Sequence, residues 1–455
     1  VTQQQASDRR DFIKIAGATS VAATMSIPSV FAQAGADHKL QVALVGTGGR
    51  GTGAAADSIN GSKYPIQITA LADLYPHRLE RSYSTLMQTF ASKPDAIDVP
   101  PERRFTGFDA YKKAMDTLRP GDIVILTTPC VFHWVHYQYA IEKGLNVFME
   151  KPIVADAPTA RRMLDLAKQA DAKNLKGAVG LMVRHCRGRQ ELHQRIADGE
   201  IGDLICLRGY RMAAHGGHAP QRKPDGVDEL DFQIQNFTAF LWSGGGLHQD
   251  YNIHQIDELC WMKNAWPVKA HALGGRHYRD GQVDQNFDIY AIEYTFPDGT
   301  PLFFDGRKMP GCKNEFASYV HGARGSAIVS TSAHYPGKVR TFKGHNQTRE
   351  EMTWAFPQPE TSPYELEWTD FINAIVEDQP YNEIPRGVEA SVVTMMGRFA
   401  AHTGQEVTYE QMLAHNHELA PDVANFQPGS PAPVTPNDDG SYPYPQPGRN
   451  PDREY

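Results

Sequence analysis

Val45-Gly46-Thr47-Gly48-Gly49-Arg50-Gly51 decides how this chain begins to fold. Gly46, Gly48 and Gly51 match G-x-G-x-x-G, directly after the strand-like run Leu40–Gly46 and before a stretch read as a helix. The first glycine permits a tight turn, the second lets the backbone approach a pyrophosphate, and the third lets the helix pack closely on the strand. Amides at the helix N-terminus then meet the phosphate charge. Gly49 and Arg50 sit in the same turn and are expected cofactor contacts. Asp73 closes the next predicted strand, 27 positions after Gly46, where a carboxylate can accept hydrogen bonds from ribose hydroxyls. Its charge repels a 2′-phosphate, so NAD is favoured over NADP. A plain glycine-rich turn with a helix-capping Asp is the bland alternative; it leaves strand, turn, helix, strand and acid falling in register as coincidence.

Working outward, Ile66–Asp73, Asp122–Pro129 and Asn146–Glu150 also read as strands. They alternate with amphipathic stretches at Pro76–Phe90, Tyr111–Leu118 and His133–Lys143, the mark of a parallel sheet covered on both faces. The expected fold class is α/β. A Rossmann dinucleotide-binding domain over 38–155 precedes an α+β domain over 156–420 with a mostly antiparallel open sheet. A helix is expected over Pro158–Ala170. Longer strands follow at Gly177–Arg184, Asp203–Ala213, Val268–Gly275, Asp288–Phe296, Pro301–Lys308 and Phe316–His321. Pro297-Asp298-Gly299-Thr300 reads as a hairpin turn, since Asp-Gly permits positive φ. Two late helices, Tyr364–Glu377 and Arg386–Thr403, have the option of packing back on the first domain. The Pro-rich segment 425–455 is either a disordered tail or a strap along the surface.

The bulk numbers narrow the classes. A formal charge of -8 offers no electrostatic argument for nucleic acid or an anionic membrane. Five scattered cysteines with no C-x-x-C are neither a disulfide framework nor a zinc site, and no metal site is expected. Arg9-Arg10, the weakly apolar stretch Ile15–Phe31 and Ala32-Gln33-Ala34 occur in the order of a twin-arginine export signal over 1–34. The expected location is therefore periplasmic or otherwise exported, with no membrane span once the signal is removed.

Two further segments carry chemistry. Glu150-Lys151-Pro152 ends a predicted strand, at the sheet edge where open α/β folds hold ligands. An ammonium there can stabilise an alkoxide developing from a hydroxyl, although a solvated strand-end lysine would look the same. Gly244-Gly245-Gly246-Leu247-His248-Gln249-Asp250-Tyr251-Asn252-Ile253-His254-Gln255-Ile256-Asp257 is the other. With a helix from about Asn252, His254 and Asp257 share a face and Asp250 just precedes it. A histidine between carboxylates is a natural proton acceptor with a pKa near neutrality. A helix cap plus a satisfied buried histidine is the competing reading.

Taken together these pieces resemble the Gfo/Idh/MocA family of sugar and inositol oxidoreductases, over about Lys39 to Leu413. The carrying residues are the glycine turn, Thr128-Pro129-x-x-x-His133, Glu150-Lys151-Pro152 and Gly245-Gly246-x-x-x-Asp250-x-x-x-His254-x-x-Asp257. The resemblance implies that Lys151 polarises the reacting hydroxyl and His254 takes or returns its proton. Asp250 would bind substrate or orient the histidine. Thr128, Pro129 and His133 would line the cofactor, with Glu150 near the nicotinamide ribose. Arg184, His185, Tyr210 and Asp257 are candidate sugar contacts, and a homo-oligomer is expected. One departure stands out: Asn252 replaces a glycine common in the family, which affects the direction of Asp250.

The function expected is NAD(P)-dependent hydride transfer on a sugar or sugar derivative. Behind an export signal no replenished NAD pool is expected, so the cofactor should stay bound and be recycled. One alternative is a redox-neutral, NAD-dependent glycoside hydrolase, which needs no pair of catalytic carboxylates. Another is a non-catalytic sugar- or cofactor-binding protein.

Overall fold

The computed structural model describes residues 39–279 and 281–455; the expected export signal lies outside the described residues. β1 (Leu40–Val45), β2 (Ile66–Asp73), β3 (Arg104–Thr106), β4 (Ile123–Leu126), β5 (Asn146–Met149) and β6 (Gly177–Val179) form one sheet. Its order is β3-β2-β1-β4-β5-β6, with every pairing parallel. This is the doubly wound dinucleotide-binding order, whose crevice opens between β1 and β4 where the winding reverses. β1, β4 and β5 are buried almost throughout, as their unbroken apolar runs require.

The second sheet comprises β7 (Leu204–Ala213), β8 (Lys269–Gly275), β9 (Ile289–Thr295), β10 (Pro301–Lys308), β11 (Glu315–Gly322), β12 (Ser326–Thr331), β13 (Arg340–Phe342), β14 (Met352–Ala355) and β15 (Val407–Thr408). Its order is β14-β13-β12-β11-β7-β10-β9-β8-β15. All neighbours run antiparallel except β7 and β10. The expected hairpin joins β9 to β10, with Gly299 at φ +82°.

Two placements differ from the sequence reading. The run Gly177–Arg184, expected as a long strand of the second domain, supplies only β6 to the first sheet. It then breaks into a 3-10 turn over Met182–His185. Gly180 sits where a Cβ would lie 2.8 Å from the Glu150 carboxylate, so only glycine lets the backbone pass this close. The parallel sheet thus runs past residue 155, through the helix Ala157–Ala172 to β6.

The late helix Pro363–Val376 packs on the first domain, its Trp368 ring stacked on Phe148 at 4.4 Å. Trp368, Phe371 and Ile372 join Leu40, Val42 and Ile125 in one buried cluster. Full burial of such side chains is worth about 1.5–3 kcal/mol each, enough to tie the two halves firmly. The helix Ile384–Thr403 is nearly all buried, lies against β8 and β9, and ends at Gly404 with φ +74°.

Candidate functional site

The glycine turn has the geometry its spacing demands. Gly46 holds φ +93°, and a Cβ there would sit 2.7 Å from the Thr127 carbonyl carbon. A Cβ at Gly51 would run into the Gly46 carbonyl oxygen, whereas Gly48 and Gly49 face open space. The helix Gly49–Asn60 that follows has neither a side-chain cap nor an acidic residue in its first turn. Its leading amides are therefore available to an anion, and a dinucleotide's pyrophosphate fits.

The cleft beyond the turn has a volume of about 220 Å³ and is lined by Asp73, Arg78, Thr128, Pro129, His136 and Phe237. Asp73 stands at the turn's edge, where its Oδ2 accepts from Thr47 N at 2.7 Å and from Thr47 Oγ1 at 2.9 Å. Arg78, over the Tyr75 ring at 4.9 Å, is a cleft residue that sequence reasoning passed over. His133 is corrected: it is buried and its Nε2 lies 2.8 Å from Thr128 O, so it supports the loop from behind. His136, one turn further on, faces the cleft instead. Burial lowers both histidines, His133 to about 4 and His136 to about 3.

A continuous polar path leads from this turn to the second domain. Arg50 Nε lies 2.8 Å from Glu150 Oε1, and Glu150 Oε2 accepts from the Lys151 amide at 3.2 Å. Glu367 is buried beside them without a hydrogen-bond partner, and burial, then Glu150, pushes its carboxyl well up. Lys151 Nζ donates to Asp250 O at 2.7 Å and to Asp250 Oδ1 at 3.0 Å.

Asp250 and His254 are carried by the helix Gly246–Lys263, which starts earlier than the expected position near Asn252. Gly245 and Gly246, at φ +73° and +72°, let the chain enter this helix straight from the short helix Leu241–Gly244. Asp250 is thus inside the helix, one turn before His254 on the same face. Asn252 does not disturb it. Its Nδ2 is 2.9 Å from His248 Nδ1 and lies over Gly306, where a Cβ would come within 2.8 Å.

His254 differs from the expectation in its electrostatics. No protein hydrogen bond reaches either ring nitrogen among the described residues, and Nδ1 is buried without a partner. Its ring lies 4.3 Å from that of His334. Burial first, then His334, Lys151 and Arg211, holds its pKa well below the usual histidine range rather than near neutrality. The imidazole is therefore neutral and open to accept a proton.

The four candidate sugar contacts are not brought together at this site. Asp257 forms a two-pronged ion pair with Arg184, at 2.6 Å from Nη2 and 2.9 Å from Nε, and is fully buried. His185 lies between Asp370 at 2.8 Å and Glu383 at 3.3 Å. Both pairs pin the 3-10 turn after β6 to neighbouring helices. Tyr210 faces the opposite side of β7, against Arg208 and Tyr319. Its neighbour Arg211 takes the inner face, because strand residues alternate and Gly209 already packs on Leu259 of the site helix. Arg211, Tyr251, Lys308 and His334 are the residues that sequence reasoning missed. The alternation of β7 was the available signal for Arg211.

Behind the site, Arg398 donates to Gly245 O and Ala155 O, both at 3.1 Å, and so holds the segments after Lys151 and before Asp250. Glu454, near the end of the Pro-rich segment, binds the same guanidinium through both oxygens at 2.8 Å. That segment is a packed strap. Tyr442 OH donates to Glu229 at 2.6 Å and Gln233 Nε2 to Val434 O at 2.6 Å, both on the helix Glu229–Gln235. This helix is latched to the cleft wall by Tyr75 OH on Asp231 Oδ1 at 2.6 Å.

Residues 40–175 match the family profile described as the oxidoreductase family, NAD-binding Rossmann fold, GFO_IDH_MocA. This segment is similar to the NAD-binding domain of the Gfo/Idh/MocA oxidoreductases. Inositol 2-dehydrogenase of Corynebacterium glutamicum strain R is 27% identical over 206 residues, 45% of this chain and 48% of that protein. The scyllo-inositol 2-dehydrogenase (NAD(+)) of Bacillus subtilis is 24% identical over 239 residues, 52% of this chain and 62% of the relative. The chain thus spans roughly half the length of the curated relatives it matches. The fold extends further. Aldose-aldose oxidoreductase from Caulobacter crescentus superposes with TM-score 0.62 at 18% identity, over 82% of this chain and 100% of that one. Scyllo-inositol dehydrogenase from Lactobacillus casei, solved with NAD(H) and scyllo-inositol, gives 0.59 at 19% identity over 82% and 100%.

Proposed function

We propose that the chain oxidises a secondary hydroxyl of a sugar or polyol with a tightly held NAD. The observation that carries this is the Lys151–Asp250 pair at 3.0 Å, with His254 one turn along and the glycine turn joined to Glu150 through Arg50. NAD, when bound, supplies the hydride acceptor. Gly46 to Gly51 would hold its pyrophosphate and Asp73 its ribose. NAD remains favoured over NADP by the Asp73 charge, although Arg78 at the same end offers a cation.

The protein's part is position and charge. Lys151, steered by Asp250, directs its ammonium at the substrate oxygen and stabilises the alkoxide as the proton leaves. Neutral His254 would receive that proton from the hydroxyl oxygen, and bound NAD would supply the acceptor for hydride from the carbon that bears it. A weak base suffices, because the ammonium lowers the hydroxyl's own pKa. The inositol dehydrogenases among the relatives support a CH–OH donor.

Retention of the cofactor is supported by the latch of Tyr75 on Asp231 and by the strap that fastens the latch helix. Export through a twin-arginine signal, with the cofactor already inside, belongs to the same proposal. The deciding experiment is mass spectrometry of the purified, denatured protein. One NAD per chain is expected, reduced on adding a polyol. Protein that emerges without dinucleotide and fails to bind added NAD would overturn the reading. Release of free sugar from a glycoside, with no net NADH, would replace it with the redox-neutral hydrolase.

A further inference from the structure

The inner face of the second sheet presents two cations beside the reacting groups with no acid to meet them. Arg211 on β7 donates from Nη1 to the neutral ring of His334 at 2.8 Å, and its guanidinium lies over Phe316 at 4.5 Å. Lys308 on β10 is 7% exposed, with Nζ 3.6 Å from the centroid of the Tyr251 ring. Arg211 reaches the same ring, at 5.8 Å. Among the described residues no carboxylate lies within ion-pair distance of either. Asp250 faces both but is held by Lys151, and Arg189 holds Glu258.

Elsewhere the interior of this protein pairs its buried cations. Arg184 has Asp257, Arg279 has Asp284 and Arg398 has Glu454. An unpaired, largely desolvated charge is costly, and two side by side repel each other. Burial and then Arg211 lower the Lys308 ammonium to about 8, as expected for a cation lacking its counter-ion. Both groups flank the turn of helix that carries Asp250 and His254.

On the reading of the site as a polyol dehydrogenase, we infer that the substrate bears an anionic group, a carboxylate or a phosphate ester, seated between Arg211 and Lys308. Arg211 offers a planar donor pair suited to either anion, and Lys308 adds a point charge. The reacting hydroxyl then points to Lys151 and His254, and the anion fixes which carbon is presented. Tyr251, whose ring both cations approach, forms the floor of that subsite.

The test is a calorimetric titration of the NAD-loaded protein with glucuronate, glucose 6-phosphate and glucose, followed by NADH formation with each. Glucuronate or glucose 6-phosphate should bind about 30-fold or more tighter than glucose, and the better of the two identifies the anion. In Lys308→Met the ratio of anionic to neutral binding should collapse by a similar factor. Glucose binding as well as both anions in the intact protein would overturn the inference while leaving the dehydrogenase reading standing. Tight anion binding without NADH from any sugar would uphold the subsite and reject the dehydrogenase.

Discussion

Lys151 Nζ touches Asp250 twice, at the backbone oxygen and at Oδ1, so the ammonium of the first domain is anchored on the helix of the second. The contact bridges 99 positions of sequence and makes the cleft geometry depend on how the two domains dock. Lys151→Ala is expected to lower kcat/KM by about 100- to 10,000-fold, and His254→Ala by a similar amount. NAD content measured on both variants should be unchanged, because neither side chain lines the glycine-turn cleft.

The glycines of the turn should separate by role. Gly51→Ala meets the Gly46 carbonyl and should lower the melting temperature as well as NAD binding. Gly48→Ala meets nothing in the protein, with an ordinary φ of -65°, and should melt like the parent while losing NAD affinity. Comparing thermal melts with equilibrium NAD binding checks both.

Glu454→Gln removes the charge that compensates a fully buried Arg398. Breaking such a pair costs about 3–5 kcal/mol, readable in urea unfolding. Arg398 also holds Gly245 and Ala155, so turnover should fall with stability. Truncation after Asn425 removes the strap from the latch helix and should speed NAD release, measured by dilution into a cofactor trap.

Stability should fall as pH drops below about 6.5, before carboxylates titrate. Burial lowers His133 to about 4 and His136 to about 3, and holds His248, His254 and His334 well below the usual range. Between these values and 6.5 the unfolded chain binds the extra protons. The stabilisation is therefore complete above 6.5 and lost below, at about 1.4 kcal/mol per pH unit for each histidine. His185 runs the other way: although burial lowers its pKa, Glu383 and Asp370 raise it overall. Its contribution is present below 6.5 and lost as pH rises through its folded value. Melting temperatures at pH 7.5, 6 and 5 should descend, and a flat profile would contradict this balance.

Much of this fold could be read from the chain because its causes are local. The glycine turn, the buried runs of β1, β4 and β5, and the Asp-Gly hairpin each follow from a few neighbouring residues. Lys151, Asp250 and His254 were legible for the same reason, since a strand end and one helical turn place them. β6 was misplaced because its apolar run looks alike in either sheet; only its pairing with β5 assigns it to the first.

The sequence by itself determined the Rossmann half, its glycine cradle and the grouping of Lys151, Asp250 and His254. Tertiary structure alone decided the partners. Asp257 is taken by Arg184 across 73 positions, Arg211 rather than Tyr210 faces inward, and Glu454 reaches back 56 positions to Arg398. A side chain's residue type states what it can bind, but docking of distant elements determines which opposite charge lies within reach when water is excluded.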